Sequence, residues 1–149
     1  VDSKRIGFYG CSYGGETAVR VPPLLDGYAL SICSSDFNDW ARKVASTDNP
    51  FSFMFSVEWE MPYFNLGSTF NYAEMVYLMF PRPFMVERGH CDSVAPDEWV
   101  AYEYAKVRYL YDMLGLGDRT EMEVFTGGHC FHQQQAFDFL DKHLRKATR

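Results

Sequence analysis

Arg5-Ile6-Gly7-Phe8-Tyr9-Gly10-Cys11-Ser12-Tyr13-Gly14-Gly15 is the stretch whose reading decides the fold. Its first five residues read as a short apolar strand, and Glu16-Thr17-Ala18-Val19-Arg20 behind it can form a helix. Between the two, Gly10 to Gly14 spells G-x-S-x-G. Strand, sharp turn and helix lift a serine hydroxyl out at the carboxyl end of the strand. Small neighbours are needed there because a side chain would strike the adjoining strand or helix. The helix start adds backbone N–H groups and a positive dipole end where an oxyanion would form. A glycine-rich turn with an incidental serine is the bland alternative, and the flanking strand and helix weigh against it.

A serine hydroxyl is a poor nucleophile unless a base sits within hydrogen-bond reach and an acid orients that base. On this kind of turn the partners follow in chain order, acid then histidine. Pro83-Phe84-Met85-Val86 reads as a buried strand and runs into a loop, Gly89 to Pro96, that carries Asp92. Glu121-Met122-Glu123-Val124-Phe125 reads as another strand, followed by Gly127-Gly128-His129. Each candidate lies just past the carboxyl end of its strand, the edge where open α/β sheets bind ligands. The assignment is Ser12 as nucleophile, His129 as base then acid, Asp92 as orienting carboxylate and the N–H of Tyr13 as an oxyanion donor. His90, His132 and His143 are the other histidines, and Glu87, inside a strand, is another carboxylate to weigh.

Alternating strands and helices imply a parallel sheet covered by helices on its faces. The expected strands are Arg5 to Tyr9, Tyr28 to Cys33, Pro83 to Glu87 and Glu121 to Phe125. The last alternates charged and apolar residues and should be an edge strand with one wet face. The first helix should stop near Val21, because Pro22-Pro23 removes donors. Pro96-Asp97-Glu98 opens a long helix with a buried stripe of Val100, Tyr104, Val107, Tyr111 and Leu114, ended by Gly115. The last helix should bury Ala136, Phe137, Leu140 and Leu144. The stretch 36–80, between the second and third strands, is too long for a simple crossover and is rich in aromatic residues. It is expected to carry a helix over Asn71 to Met79, and the rest forms either a lid over the active site or an excursion packed on its own rings.

The sequence resembles the α/β-hydrolase superfamily, and within it the dienelactone hydrolase-like and acetylxylan esterase-like carboxylesterases. Arg5 to Gly15, Pro81 to Val86, Gly89 to Pro96, Gly127-Gly128-His129 and the terminal Ala136-Phe137-Asp138-Phe139-Leu140 carry the resemblance. It covers nearly the whole chain but only the second half of the fold. It implies a partial α/β-hydrolase fold and ester hydrolysis through an acyl-enzyme on Ser12, with a small-molecule ester as substrate, a carbohydrate-linked one among the options, and no cofactor. Some relatives carry their acid after the second of these strands, which keeps Asp36 open as an alternative to Asp92. A serine peptidase resembling the prolyl oligopeptidase group, and a non-catalytic fragment or interaction module, are the competing readings. The family's first four strands and the loop that donates the second oxyanion N–H have no counterpart here. The Arg5–Tyr9 strand is then expected at an open sheet edge, a surface prone to self-association.

The chain has 149 residues, enough for one domain spanning 1–149 with a real core. It begins on Val1-Asp2-Ser3-Lys4, which reads as a connector entering a strand and suggests a piece of a longer protein, leaving the compartment open. A net charge of −6 argues against a nucleic-acid partner. No apolar run approaches the roughly 20 residues of a membrane-spanning helix. The four cysteines, Cys11, Cys33, Cys91 and Cys130, include no C-x-x-C pair, so no metal site is expected, although Cys91 and Cys130 lie in loops close enough in the fold to consider a disulfide.

Overall fold

The computed structural model describes residues 2–58 and 61–145. Four strands, β1 (Gly7–Cys11), β2 (Leu30–Ser34), β3 (Phe84–Gly89) and β4 (Thr120–Phe125), form one parallel sheet in sequential order β1-β2-β3-β4. Five helices accompany them: α1 (Tyr13–Arg20), α2 (Trp40–Ala45), α3 (Tyr72–Tyr77), α4 (Asp97–Met113) and α5 (Gln134–Leu144).

The period of two along each strand sorts the core into two layers. Cys33 of β2 and Phe84 and Val86 of β3 face a large cluster that includes Ala18 and Val19 of α1, Val76 of α3, and Val100, Val107 and Tyr111 of α4. Leu30, Ile32 and Met85 face the opposite way, onto Ala136 and Phe139 of α5. Every residue of β2 and β3 is buried, as expected of central strands covered on both faces.

β1 starts two residues later than the sequence suggests. Arg5 leaves the ladder to pair with Asp2 at 2.8 Å and to donate to the Leu144 carbonyl, whereas Gly10 and Cys11 remain in register with Cys33 and Ser34. The elbow is therefore a single residue, Ser12, between strand and helix. β1 does lie at one edge of the sheet and β4 at the other. The wet face of β4 is not the charged one: Glu123 is buried and Val124 is exposed, because Glu123 turns inward to His132.

α4 starts behind Pro96 with Asp97 and Glu98 in its first turn, and it buries Val100, Tyr104, Val107 and Tyr111 as expected. Leu114 is exposed because the helix ends at Met113 and the chain swings out through Gly115 at φ 69°. In α5 Ala136 and Phe139 are buried, three residues apart on one face, and Leu140 and Leu144 pack half-buried against the same cluster; Phe137, expected inside, points to solvent.

The stretch 36–80 carries α2, α3 and two short 3₁₀ turns. α3 begins at a capping box in which Asn71 and Glu74 bond reciprocally. The aromatic residues divide: Phe37, Trp40, Phe53 and Tyr72 are core, while Phe55, Tyr63 and Phe64 are exposed. Trp59 lies outside the described residues.

Candidate active site

Ser12 adopts φ 58° and ψ −122°, a conformation that costs a non-glycine residue about 1–3 kcal/mol and persists only where its surroundings enforce it. Its N–H donates to the Ser34 carbonyl at 3.1 Å, which ties the turn to β2. Two glycines of the elbow, Gly10 in the motif and Gly15 just after it, are explained by close approach. A Cβ on Gly10 would lie 2.0 Å from the carbonyl oxygen of Gly14, and one on Gly15 would lie 2.4 Å from that of Ser34. Tyr13 is the first residue of α1, directly behind Ser12.

Asp92 sits in the loop after β3 and is buried. Its Oδ1 accepts from the Val94 N–H at 2.9 Å and lies 3.0 Å from Nδ1 of His129, and its Oδ2 lies 3.5 Å from Nη1 of Arg88. Arg88, itself buried, also bonds Asp97 and the carbonyls of Asp92 and Ala95, so the acid loop folds around one guanidinium. The acid and histidine loops are laced together by backbone bonds from His90 to Phe125 and from Cys91 to Gly127. With Nδ1–H donated to Asp92, the imidazole keeps the lone pair of Nε2 for a proton.

Ser12 and His129 line the same cavity, of about 540 Å³. One wall, formed by Pro50, Phe51, Phe55 and Val57, comes from the stretch 36–80; Lys43, Glu58 and Ser93 add polar groups. Lys43 is a residue that sequence reasoning missed. It is buried, and its ammonium donates to the carbonyls of Phe51 and Val94, joining the aromatic stretch to the acid loop. Burial pulls its pKa down. Only its place four residues into a helix with Trp40 could have hinted that it faces inward.

The other candidates have different partners. Asp36 bonds the Tyr72 hydroxyl at 2.5 Å, and burial pushes its carboxyl up to about 7. Glu87 contacts Tyr9, Ser34 and Gln133. His90 is exposed and bonds Asp97, His132 bonds Glu123, and His143 packs edge-on against Phe139. All four cysteines are free, so the Cys91–Cys130 disulfide is not formed. Burial raises the pKa of the Cys11 thiol beside Ser12, which keeps it protonated and a weak competitor as nucleophile. Among the described residues no cluster of three or more histidine, cysteine or acidic side chains could hold a metal ion, and no helix is long and apolar enough to cross a membrane.

No family model and no curated protein matches the sequence. Solved structures do. A glucuronoyl esterase from Sporotrichum thermophile superposes with a TM-score of 0.73 at 22% identity, over 97% of this chain and 45% of its own. A carbohydrate esterase family 15 glucuronoyl esterase from Caldicellulosiruptor kristjansonii gives 0.68 at 19% identity, over 95% and 42%. The acylaminoacyl peptidase of Pyrococcus horikoshii gives 0.70 at 19% identity, over 98% and 25%. The chain has a partial α/β-hydrolase fold. It spans less than half the length of each of these three structures, and at these identities the likeness is one of fold. Within that α/β-hydrolase fold, Ser12, Asp92 and His129 lie past the carboxyl ends of β1, β3 and β4, on the connections to α1, α4 and α5.

Proposed function

We propose that this chain belongs to a serine hydrolase that cleaves carboxylic esters through an acyl-enzyme on Ser12. The observation that carries the reading is the His129–Asp92 bond at the wall of a cavity that also holds Ser12 at its strained elbow. Ser12 Oγ attacks the ester carbonyl while Nε2 of His129 takes its proton. The tetrahedral oxyanion collects beside the N–H of Tyr13 at the start of α1. His129 then gives the proton to the departing alcohol, leaving the acyl group on Ser12. Water, deprotonated by His129, attacks the acyl-enzyme and releases the acid and free Ser12. Asp92, beside Arg88, holds the imidazole tautomer and stabilises the imidazolium formed in each half-reaction.

The aromatic wall and the nearby Lys43 and Glu58 suit a substrate with both an apolar face and polar substituents, such as a carbohydrate-linked ester. In this reading the stretch 36–80 acts as a lid. A mutant of the Sporotrichum thermophile glucuronoyl esterase has been solved in complex with methyl 4-O-methyl-beta-D-glucopyranuronate. The likeness to an acylaminoacyl peptidase favours peptide hydrolysis as a second reading.

Reaction with a fluorophosphonate, followed by mapping of the adduct, tests the proposal. Labelling at Ser12, and aryl-ester turnover that disappears in Ser12→Ala, is the expected result. Turnover that survives Ser12→Ala would move the nucleophile elsewhere, and faster turnover of peptide chromogens than of esters would favour the peptidase.

A further inference from the structure

Glu87 is a charged residue at the centre of the sheet, 1% exposed, and the reaction as described does not use it. Its oxygens accept from the Tyr9 hydroxyl at 2.9 and 2.8 Å, the Ser34 hydroxyl at 2.6 Å and the Gln133 N–H at 2.7 Å. None of these donors is charged. A carboxylate is costly to bury, so one held at this place by neutral donors alone points to a task that its two acceptor oxygens perform.

The register shows what that task is. Cys11, Ser34, Glu87 and Glu123 are partners in one row across all four strands, directly beneath Ser12. Within the row, two neighbouring carboxylates grip two successive residues of the histidine loop: Glu123 takes Nδ1 of His132 at 2.6 Å and Glu87 takes the N–H of Gln133. Ser35, next to the row, bonds the carbonyl of Cys130 at 3.2 Å. Four non-glycine residues have positive φ among the described residues, and three of them, Ser12, Ser35 and Gln133, border this row. Such conformations persist only where the surroundings over-determine them. Glu87 joins those surroundings, since it is bonded from β3 to β1, to β2 and to the start of α5.

We propose that Glu87 is a positioning residue, which sets the register of the loop carrying His129 relative to the elbow carrying Ser12. The inference rests on the serine-hydrolase reading for its consequence in catalysis, although the register itself can be measured without turnover. Glu87 does not touch the reacting atoms, because Nδ1 of His129 is already held by Asp92.

Two substitutions separate positioning from bulk stability. Glu87→Leu leaves the Gln133 N–H without an acceptor. Glu87→Gln retains one acceptor oxygen, and the hydroxyls of Tyr9 and Ser34 can rotate to receive its amide. The rate of fluorophosphonate labelling at Ser12 should fall about 100-fold in Glu87→Leu, yet by only about three-fold in Glu87→Gln. The low-field proton resonance of His129 Nδ1, bonded to Asp92, should disappear in Glu87→Leu and return in Glu87→Gln. If Glu87→Leu does not fold, the double variant Tyr9→Phe/Ser34→Ala strips the carboxylate of two donors and should slow labelling about ten-fold. A folded Glu87→Leu, or failing that a folded double variant, that labels at the wild-type rate and keeps the resonance would overturn the proposal. Should the wild-type chain not label at all while the resonance still depends on Glu87, the hydrolase reading fails and the positioning role stands.

Discussion

His129 and His132 lie three residues apart in one loop, and each turns Nδ1 toward a buried carboxylate, at 3.0 Å to Asp92 and 2.6 Å to Glu123. Their surroundings separate them. The His129 ring opens on the cavity that holds Ser12. The His132 ring lies flat on Phe125, with centroids 4.2 Å apart and planes 5° from parallel. Asp92 comes from a loop wrapped around Arg88, whereas Glu123 comes from within β4, and the second oxygen of each carboxylate has no hydrogen-bond partner among the described residues. A short histidine–carboxylate bond is therefore not a signature of catalysis. What else surrounds the imidazole separates the two: His129 lines a cavity that Ser12 also lines, and His132 stacks on a phenyl ring.

The sharpest way to break this comparison is to remove each ring in turn. His129→Ala should lower kcat on an aryl ester by about 10,000-fold or more, and His132→Ala by about ten-fold, through displacement of the loop alone. Steady-state kinetics on the two purified variants decides it, and comparable losses would erase the distinction. The next effect in size concerns the carboxylates. Asp92→Asn should cost on the order of 1,000- to 10,000-fold in kcat, because an amide can accept the wrong tautomer and no longer stabilises an imidazolium. Glu123→Gln should leave kcat within about three-fold and should not lower the melting temperature, since it removes a buried carboxyl oxygen that has no hydrogen-bond partner among the described residues. Kinetics paired with thermal melts on both variants reads each arm.

The smallest effect concerns Asp36, the acid that sequence reading left open. A carboxylate that serves a histidine has to be ionised at neutral pH, and burial pushes Asp36 up to about 7 from 3.8. Between those values the folded chain retains a proton that the unfolded chain has lost. The contribution of Asp36 to stability therefore falls as the pH rises from about 4 to about 7 and is level above that, with a slope of at most about 1.4 kcal/mol per pH unit. Tyr72, Glu16, Lys43 and Arg20 face it and tune the midpoint. Denaturant melts across this range should show a shallower decline with pH in Asp36→Asn, which should exceed the wild type in stability at pH 8. Parallel pH profiles for the two chains would mean that Asp36 is ionised throughout.

The positions of Ser12, Asp92 and His129 are legible in the sequence because local signals mark each one: G-x-S-x-G behind a strand, Asp92 in a loop after Val86, and His129 behind two glycines. The four parallel strands follow from their apolar runs, with ends displaced by up to two residues where a ladder partner decides. Partners far away in the chain leave no such trace. Glu87 meets Tyr9 across 78 residues and Gln133 across 46, and Lys43 meets Val94 across 51. In a linear reading both are simply charged residues near an element end. Glu123 was misread for the same reason, as a wet position in an alternating strand. Phe137 and Leu114 failed differently: both are apolar, and only the register of α5 and the end of α4 reveal that neither faces the core.

Ser12 is attached to β1, and among the described residues β1 has a neighbour on one side only. Opening of that single ladder would carry the elbow away from His129 while β2, β3 and the clusters on either face of the sheet stay packed. Edge segments of this kind open at a fraction of the free energy of global unfolding. Heat should therefore displace Ser12 before it melts the core, and the temperature at which labelling of Ser12 is lost and a calorimetric midpoint would report on two different parts of the molecule.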